Sequence, residues 1–282
     1  MRKLPPAASF FLLKTCNLDC RFCFATFRDV DGQLTNDECE RVVAELADAG
    51  LEKITFVGGE PTLHPHLSEL VKLASEVGMT TCVVTNGARL PKVIRETKGF
   101  LDWVGLSVDS ADEYIQSNLG RGLGKHVARS KRLAELCHDH GIRLKLNTVV
   151  TSMNWQEDMG DYARALNPDR WKAFQVLPVD GQNDGSVEDL LITEEQFQVW
   201  VNRHKAQGLT LVPETNDLIT GSYVLVDPEG RFFTDTTGRH TYSKSIIDVG
   251  VDEAWKSMDF YQDAFEERGG LYDWTRSVNS DR

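Results

Sequence analysis

The sequence predicts an α/β chain: a partial parallel barrel of six strand–helix units over residues 1–180, followed by an α+β extension over 181–282. Three observations predict it. Short runs rich in β-branched and aromatic residues alternate with helical patterns through the first two-thirds of the chain, and such alternation implies parallel strands joined by right-handed crossovers. The helices carry their own start and stop signals. Past residue 180 the alternation gives way to a polar loop and a hairpin signal. Six strands are too few for an eightfold barrel, so the barrel is expected to stay partial.

Each element has a local reason. "SFFLL" (9–13) is the first strand, ending at a cysteine-rich loop. Thr35 and Glu38 form a T-x-x-E capping box, and Val42, Val43 and Leu46 supply the apolar face of the helix that runs to Gly50. "KITFV" (53–57) is the second strand; Leu67, Leu70, Val71 and Ala74 mark a helix stopped by Gly78. "TTCVVT" (80–85) and "DWVGLSV" (102–108) are the third and fourth strands, with a short helix between them. Val127, Leu133, Ala134 and Cys137 lie on the next helix, which Gly141 ends. "RLKLNTVV" (143–150), a helix near 156–166 and "WKAFQVLPV" (171–179) complete the pattern. In the extension, "GQNDGSVED" is a loop, Thr193 and Gln196 cap a helix, and "YVLVDPEGRFF" turns at Asp227-Pro228-Glu229-Gly230. The extension is expected to pack on the barrel and rim a pocket at the C-terminal ends of the strands.

The 282 residues, 41% hydrophobic and 26% charged, are enough for a sizeable core and exclude a disordered chain. A net charge of -12 argues against a general nucleic-acid or membrane-surface binder, while leaving room for an anionic small substrate in a locally basic pocket. The start, "MRKLPPAASFFLL", has the basic-then-apolar order of a signal peptide, but Pro5 and Pro6 interrupt it and the cysteines follow at once; it reads better as a strand. No run approaches the roughly 18 apolar residues of a membrane span. The cysteine distribution favours a reducing cytoplasm over a disulfide scaffold.

Three of the six cysteines, Cys16, Cys20 and Cys23, fall in "KTCNLDCRFCFA" as C-x3-C-x2-C. Structural zinc takes four ligands, commonly in paired knuckles, and no second knuckle exists here. Three thiolates on a four-iron cubane leave one iron open to an exogenous chelate. Cys39, Cys82 and Cys137 lie on predicted helices or strands and read as packing. "VGGEP" follows the second strand: Gly58 and Gly59 let backbone approach a ligand, and Glu60 can accept from an ammonium. Asn86 in "TNG" and Ser107 after the fourth strand hold equivalent positions, each equally readable as turn chemistry. Lys145 and Asn147 share one face of a strand, as do Arg170 and Lys172 around Trp171. Cations facing inward are costly unless they meet an anion, and with Arg268 the set suits a triphosphate. The alternative is that they face water or pair with some of the 43 acids.

The cysteine spacing with Phe22, and "GGEP" after it, resembles the radical S-adenosylmethionine (SAM) enzymes. That resemblance implies a radical SAM barrel, a [4Fe-4S] cluster on Cys16, Cys20 and Cys23, and SAM held by Phe22, Gly58, Gly59, Glu60, Asn86, Ser107 and Arg121. Along nearly the whole chain, through "ALNPDRWKAFQ", "LVPETN", "SKSIIDVGVDEA" and "RGG", the sequence is similar to the viperin family. The family implies a nucleotide dehydratase that converts CTP to 3′-deoxy-3′,4′-didehydro-CTP, a chain terminator used against viruses. It further implies a phosphate site of Lys145, Asn147, Arg170, Lys172, His240, Lys244 and Arg268, with Tyr223 as proton donor.

The chain departs from vertebrate members at several points. It lacks their membrane-binding amphipathic helix, so a soluble, cytoplasmic, monomeric protein is expected, served by an electron donor such as flavodoxin or ferredoxin. Ala25 replaces a histidine, and the tail continues past Trp274 as "TRSVNSDR". "TDTTGRH" (234–240) differs from the vertebrate loop and places His240 where a lysine stands, which leaves UTP and GTP beside CTP as substrates. Two rivals remain: a radical SAM enzyme of another substrate class, disfavoured because no cysteine follows Cys137, and a non-catalytic antiviral scaffold, disfavoured by the intact cysteines and cations.

Overall fold

A computed structural model describes residues 3–275; most of the "TRSVNSDR" tail lies outside the described residues. Seven strands run parallel and in chain order: β1 (Ala7–Phe11), β2 (Lys53–Val57), β3 (Thr80–Thr85), β4 (Trp103–Ser107), β5 (Arg143–Val150), β6 (Arg170–Gln175) and β7 (Leu211–Glu214). Helices α1 (Asn36–Asp48), α2 (Leu67–Glu76), α3 (Leu90–Thr97), α4 (Glu113–Asn118), α5 (His126–Asp139), α6 (Gly160–Leu166) and α7 (Glu194–Lys205) form the crossovers. The capping boxes close as the sequence predicts: Thr35 with Glu38 opens α1, and Thr193 with Gln196 opens α7. On α1 the fully buried Val42, Val43 and Leu46 face the sheet, each contributing roughly 1.5–3 kcal/mol of burial.

The extension does more than pack on the barrel. β7 lengthens the parallel sheet beyond β6, while β8 (Leu225–Val226), β9 (Arg231–Thr234) and β10 (Thr241–Ser245) add to the other edge, β8 parallel to β1. The result is one ten-stranded sheet in the order β10-β9-β8-β1-β2-β3-β4-β5-β6-β7. The predicted hairpin at 227–230 is the β8–β9 turn, where the Asp227 carboxylate accepts from the Glu229 and Arg231 amides.

Two layers of side chains follow from the strand alternation. One face of each strand packs under the helices, as where Trp171 meets Trp200 of α7 at 5.3 Å between ring centroids. The other face lines a cavity of about 590 Å³ inside the curved sheet. The cavity spans the barrel from the loops after the strands to the strand starts. There, residues 269–274 of the extension form its floor: Gly269 accepts from Arg170, Trp274 accepts from Trp103, and Tyr272 meets Lys53 and Lys145. The extension thus reaches both ends of the cavity: its last segment returns beneath the strand starts, while its first loop packs on the cysteine loop, where Gln182 accepts from the Phe27 amide and Asn183 donates to Phe22 O.

Candidate active site

The upper end of the cavity is the cysteine loop. Cys16, Cys20 and Cys23 line one wall, tied locally by the Cys23 amide donating to Cys20 O (3.0 Å) and the Leu18 amide to Cys16 Sγ (3.4 Å). Burial pushes all three thiols up, Cys20 to about 12, while Arg121 pulls Cys20 and Cys23 the other way. Such thiols stay protonated until a metal takes the protons' place. Among the described residues no three Cys, His, Asp or Glu side chains close on a single-ion position. Three thiols on one cavity wall suit a cluster that keeps one iron open, whereas structural zinc takes four ligands.

Backbone contact welds the neighbouring turns to this loop. A Cβ on Gly59 would lie 2.3 Å from Thr15 O, and one on Gly120 would lie 1.9 Å from Asp19 O, so only glycine permits either approach. Glu60, 1% exposed, accepts from the Thr62 amide and hydroxyl, the Thr85 hydroxyl and the Asn86 amide at 2.5–3.0 Å. It therefore staples the turn after β2 to the turn after β3. Asn86 donates to Asn17 Oδ1 (3.0 Å) and reaches Cys16 Sγ (3.8 Å), while its own Oδ1 caps Ala88. Arg121 lies over the Phe22 ring at 5.3 Å and pairs with Asp109 at 2.6 Å, both side chains largely buried. His126 bonds Ser107 O at 2.8 Å and is held near 4 by burial and Arg121, hence neutral.

The lower end is cationic. Register puts Lys145 beside Arg170 and Asn147 beside Lys172, and all four line the cavity. Arg268 joins from the extension, stacked 3.6 Å from the Tyr223 ring centroid and anchored by Ser222. Lys172 pairs with the fully buried Glu214 at 2.5 Å and donates to Tyr223 Oη at 2.5 Å; Tyr223 in turn donates to Glu214. Burial, offset in part by Glu214, brings Lys172 to about 7. Burial pushes the Tyr223 phenol well up.

The structure brings together Cys16, Cys20, Cys23, Phe22, Gly58, Gly59, Glu60, Asn86, Ser107, Arg121, Lys145, Asn147, Arg170, Lys172, Arg268 and Tyr223 on one cavity. Two expected residues are not there. His240 turns into an aromatic cluster, 4.7 Å from the Phe233 centroid and 5.8 Å from Phe27, where burial holds it near 4 and uncharged. Lys244 sits exposed on the edge strand β10. From their loop it is Thr234 and Asp235 that reach the cavity. Sequence reasoning missed Lys53, 4% exposed, although it shares parity with the cavity-facing Thr55 and Val57. Burial and the Lys145 ammonium push Lys53 well below an ordinary lysine. Asp109, Glu214 and Tyr272 were also missed; nothing local marks them, since each is defined by a partner distant in sequence.

Comparison with known proteins decides the family. The model of the radical SAM superfamily matches residues 11–166. An S-adenosylmethionine-dependent nucleotide dehydratase of Flammeovirga pacifica is 44% identical over 95% of this chain and 96% of its own. The chain belongs to the S-adenosylmethionine-dependent nucleotide dehydratases. A dehydratase of the same description from Lacinutrix mariniflava is 44% identical over 98% of this chain, which spans 60% of that relative's length. Among solved structures, Streptococcus suis SuiB bound to S-adenosylmethionine matches 82% of this chain and 60% of its own with a TM-score of 0.67 at 18% identity, a likeness of fold. The dehydratase is therefore an enzyme of the lyase type whose cofactors are SAM and an iron–sulfur cluster. Among the described residues no helix is long and apolar enough to cross a membrane.

Proposed function

We propose that this dehydratase removes water from a ribonucleoside triphosphate, CTP before UTP or GTP, to give the 3′-deoxy-3′,4′-didehydro nucleotide. The observation that carries the reading is the clustering of Lys53, Lys145, Arg170, Lys172 and Arg268 at the end of the cavity away from the cysteines. Even against the carboxylates of Glu214 and the cavity-lining Asp235 they leave a surplus of about three positive charges when protonated, which suits a strongly anionic triphosphate. Cysteines at one end and cations at the other suit a substrate whose reacting sugar lies between them.

Cys16, Cys20 and Cys23 would hold a [4Fe-4S] cluster, with SAM bordered by Phe22, Gly58, Gly59, Glu60, Asn86, Ser107 and Arg121. The bound cofactors supply hydrogen-atom abstraction, here from C4′ of the substrate. The cation set orients the nucleotide so that C4′ faces the cofactor end, and the enclosed cavity limits water. Tyr223 protonates the departing 3′-hydroxyl. The product lacks a 3′-hydroxyl and cannot be extended by a polymerase, which suits antiviral defence. We place the protein in the cytoplasm as a monomer reduced by a flavodoxin or ferredoxin. Incubating the reconstituted enzyme with SAM, dithionite and each of the four triphosphates tests the reading. Dehydrated CTP is expected; 5′-deoxyadenosine without any dehydrated nucleotide overturns it.

Binding itself has a pH signature. Lys172 faces Glu214, Arg268, Lys145 and Tyr223, and burial brings it down to about 7 when no anion is bound. Phosphate favours its charged form and that of Lys53, so binding near and above pH 7 takes up protons. Lysine pKa values that rise on binding give full affinity below 7 and falling affinity as pH climbs through the value in the complex. Calorimetry at pH 7.5 to 9.5 in buffers of different ionisation enthalpy measures this; an affinity constant across that range counts against it.

A further inference from the structure

Glu214 presents a puzzle within the proposed phosphate site. A carboxylate among anion-binding cations competes with the substrate, and its burial is costly. Yet it is fully buried at the end of β7 and does not line the cavity; its neighbours Lys172, Tyr223 and Arg268 do. It stands behind the wall and holds the groups in front. Its Oε1 pairs with Lys172 Nζ at 2.5 Å and lies 3.8 Å from Arg268 Nη1, while Oε2 accepts the Tyr223 hydroxyl. Lys172 also donates to Tyr223 Oη at 2.5 Å. An ammonium, a phenol and a carboxylate thus form a closed triangle with one vertex outside the cavity.

We propose that Glu214 is a positioning residue for proton delivery: it holds Lys172 against Tyr223 so that the phenol, once it has given its proton to the departing hydroxyl, is refilled from the lysine. The inference rests on the dehydratase reading with Tyr223 as proton donor and adds the source of that proton and the residue that arranges it. The step balances. From the C4′ substrate radical, the C3′–O bond breaks as the Tyr223 proton joins the leaving oxygen to form water. One electron from a low-potential donor completes the C3′=C4′ bond. The Tyr223 hydroxyl turns from Glu214 to the leaving oxygen as it gives up its proton; the phenolate, held by the Lys172 ammonium and the Arg268 guanidinium against the neighbouring Glu214 carboxylate, takes a proton from Lys172, and Lys172 recovers one from solvent. The lysine's lowered affinity for its proton makes it a better donor than an exposed lysine.

The test separates positioning from support. In the unreduced holoenzyme with SAM, calorimetry gives CTP affinity; in the reduced enzyme, the ratio of dehydrated nucleotide to 5′-deoxyadenosine gives coupling. Glu214→Gln removes a negative charge from an anion site, so affinity is expected to hold within about threefold or tighten, while the ratio falls at least about tenfold, as for loss of general acid delivery. Glu214→Asp is expected to recover part of it. A wild-type ratio in Glu214→Gln overturns the inference, as does an equal loss of affinity and turnover with the ratio unchanged, the mark of a merely structural carboxylate. Should Glu214→Gln fail to fold, Lys172→Arg decides. A guanidinium keeps the charge and cannot give up its proton, so at saturating CTP the ratio should fall at least about tenfold; an unchanged ratio overturns the relay. Wild-type enzyme that dehydrates no triphosphate overturns the substrate reading and the inference together, whereas wild-type product with an unaltered variant ratio overturns the inference alone.

Discussion

Cys20→Ala is expected to leave the reconstituted protein without its iron–sulfur absorbance and without any SAM cleavage. Cys20 lies in the middle of the cysteine loop, where its thiol makes a long contact to Gly120 O at 3.8 Å. Burial pushes its thiol up to about 12, so in the absence of metal it is a protonated side chain, and alanine keeps its Cβ against the neighbouring apolar cluster. The variant should therefore fold and melt like the parent while losing the whole activity. Cys137→Ala is the matched control. That thiol is fully buried in the main core, so its loss should cost about 1 kcal/mol in cavity terms and leave iron content untouched. Iron per chain, visible absorbance and 5′-deoxyadenosine yield make the comparison. Full iron content and turnover in Cys20→Ala would place the cluster elsewhere.

Asp109→Ala is expected to produce the largest loss of stability among single changes near the site. Asp109 is 1% exposed in its side chain, pairs with Arg121 at 2.6 Å and accepts the Val149 amide at 2.9 Å. Truncation strands a buried guanidinium and an amide at once. Breaking one side of a buried pair costs about 3–5 kcal/mol. For a chain of this size that is a fall in melting temperature of just under about 2 °C per kcal/mol. The same change frees Arg121 from its place over Phe22, so SAM affinity should fall with it. Differential scanning calorimetry and SAM titration read the two effects. A melting temperature within a degree or so of the parent would mean that Arg121 finds another partner, and would remove Asp109 as the anchor of the arginine.

β2, β3 and β5 carry the bounds expected, and both capping boxes close, because these signals act over a few residues. β1 and β6 begin earlier than expected, since strand ends are set by the neighbour's hydrogen bonds rather than by side-chain pattern. The inward parity of Lys145, Asn147, Arg170 and Lys172 was readable because two residues of one strand on one face need no knowledge of the rest of the fold. β7 was missed: "LVPE" is four residues with a proline, tolerable only because it is an edge strand. His240 and Lys244, expected at the phosphates from the family resemblance, do not line the cavity, because the chain carries His240 into an aromatic cluster and β10 holds Lys244 on the exposed edge of the sheet. An uncharged histidine among Phe24, Phe27 and Phe233 cannot clamp a phosphate.

By itself the sequence determined the strand–helix alternation, the three thiols on one loop and the sign of the cavity's charge, all consequences of spacing within a short stretch of chain. Only the tertiary structure decided that the cations gather at the strand starts, that the segment bearing Tyr272 floors them, and that Glu214 stands behind Lys172 and Tyr223. Most of those facts join residues dozens of positions apart or more, and a contact of that kind is set by how the strands curve and where the chain returns. Burial then gives such contacts their electrostatic weight, because a charge taken from water answers to whichever groups surround it.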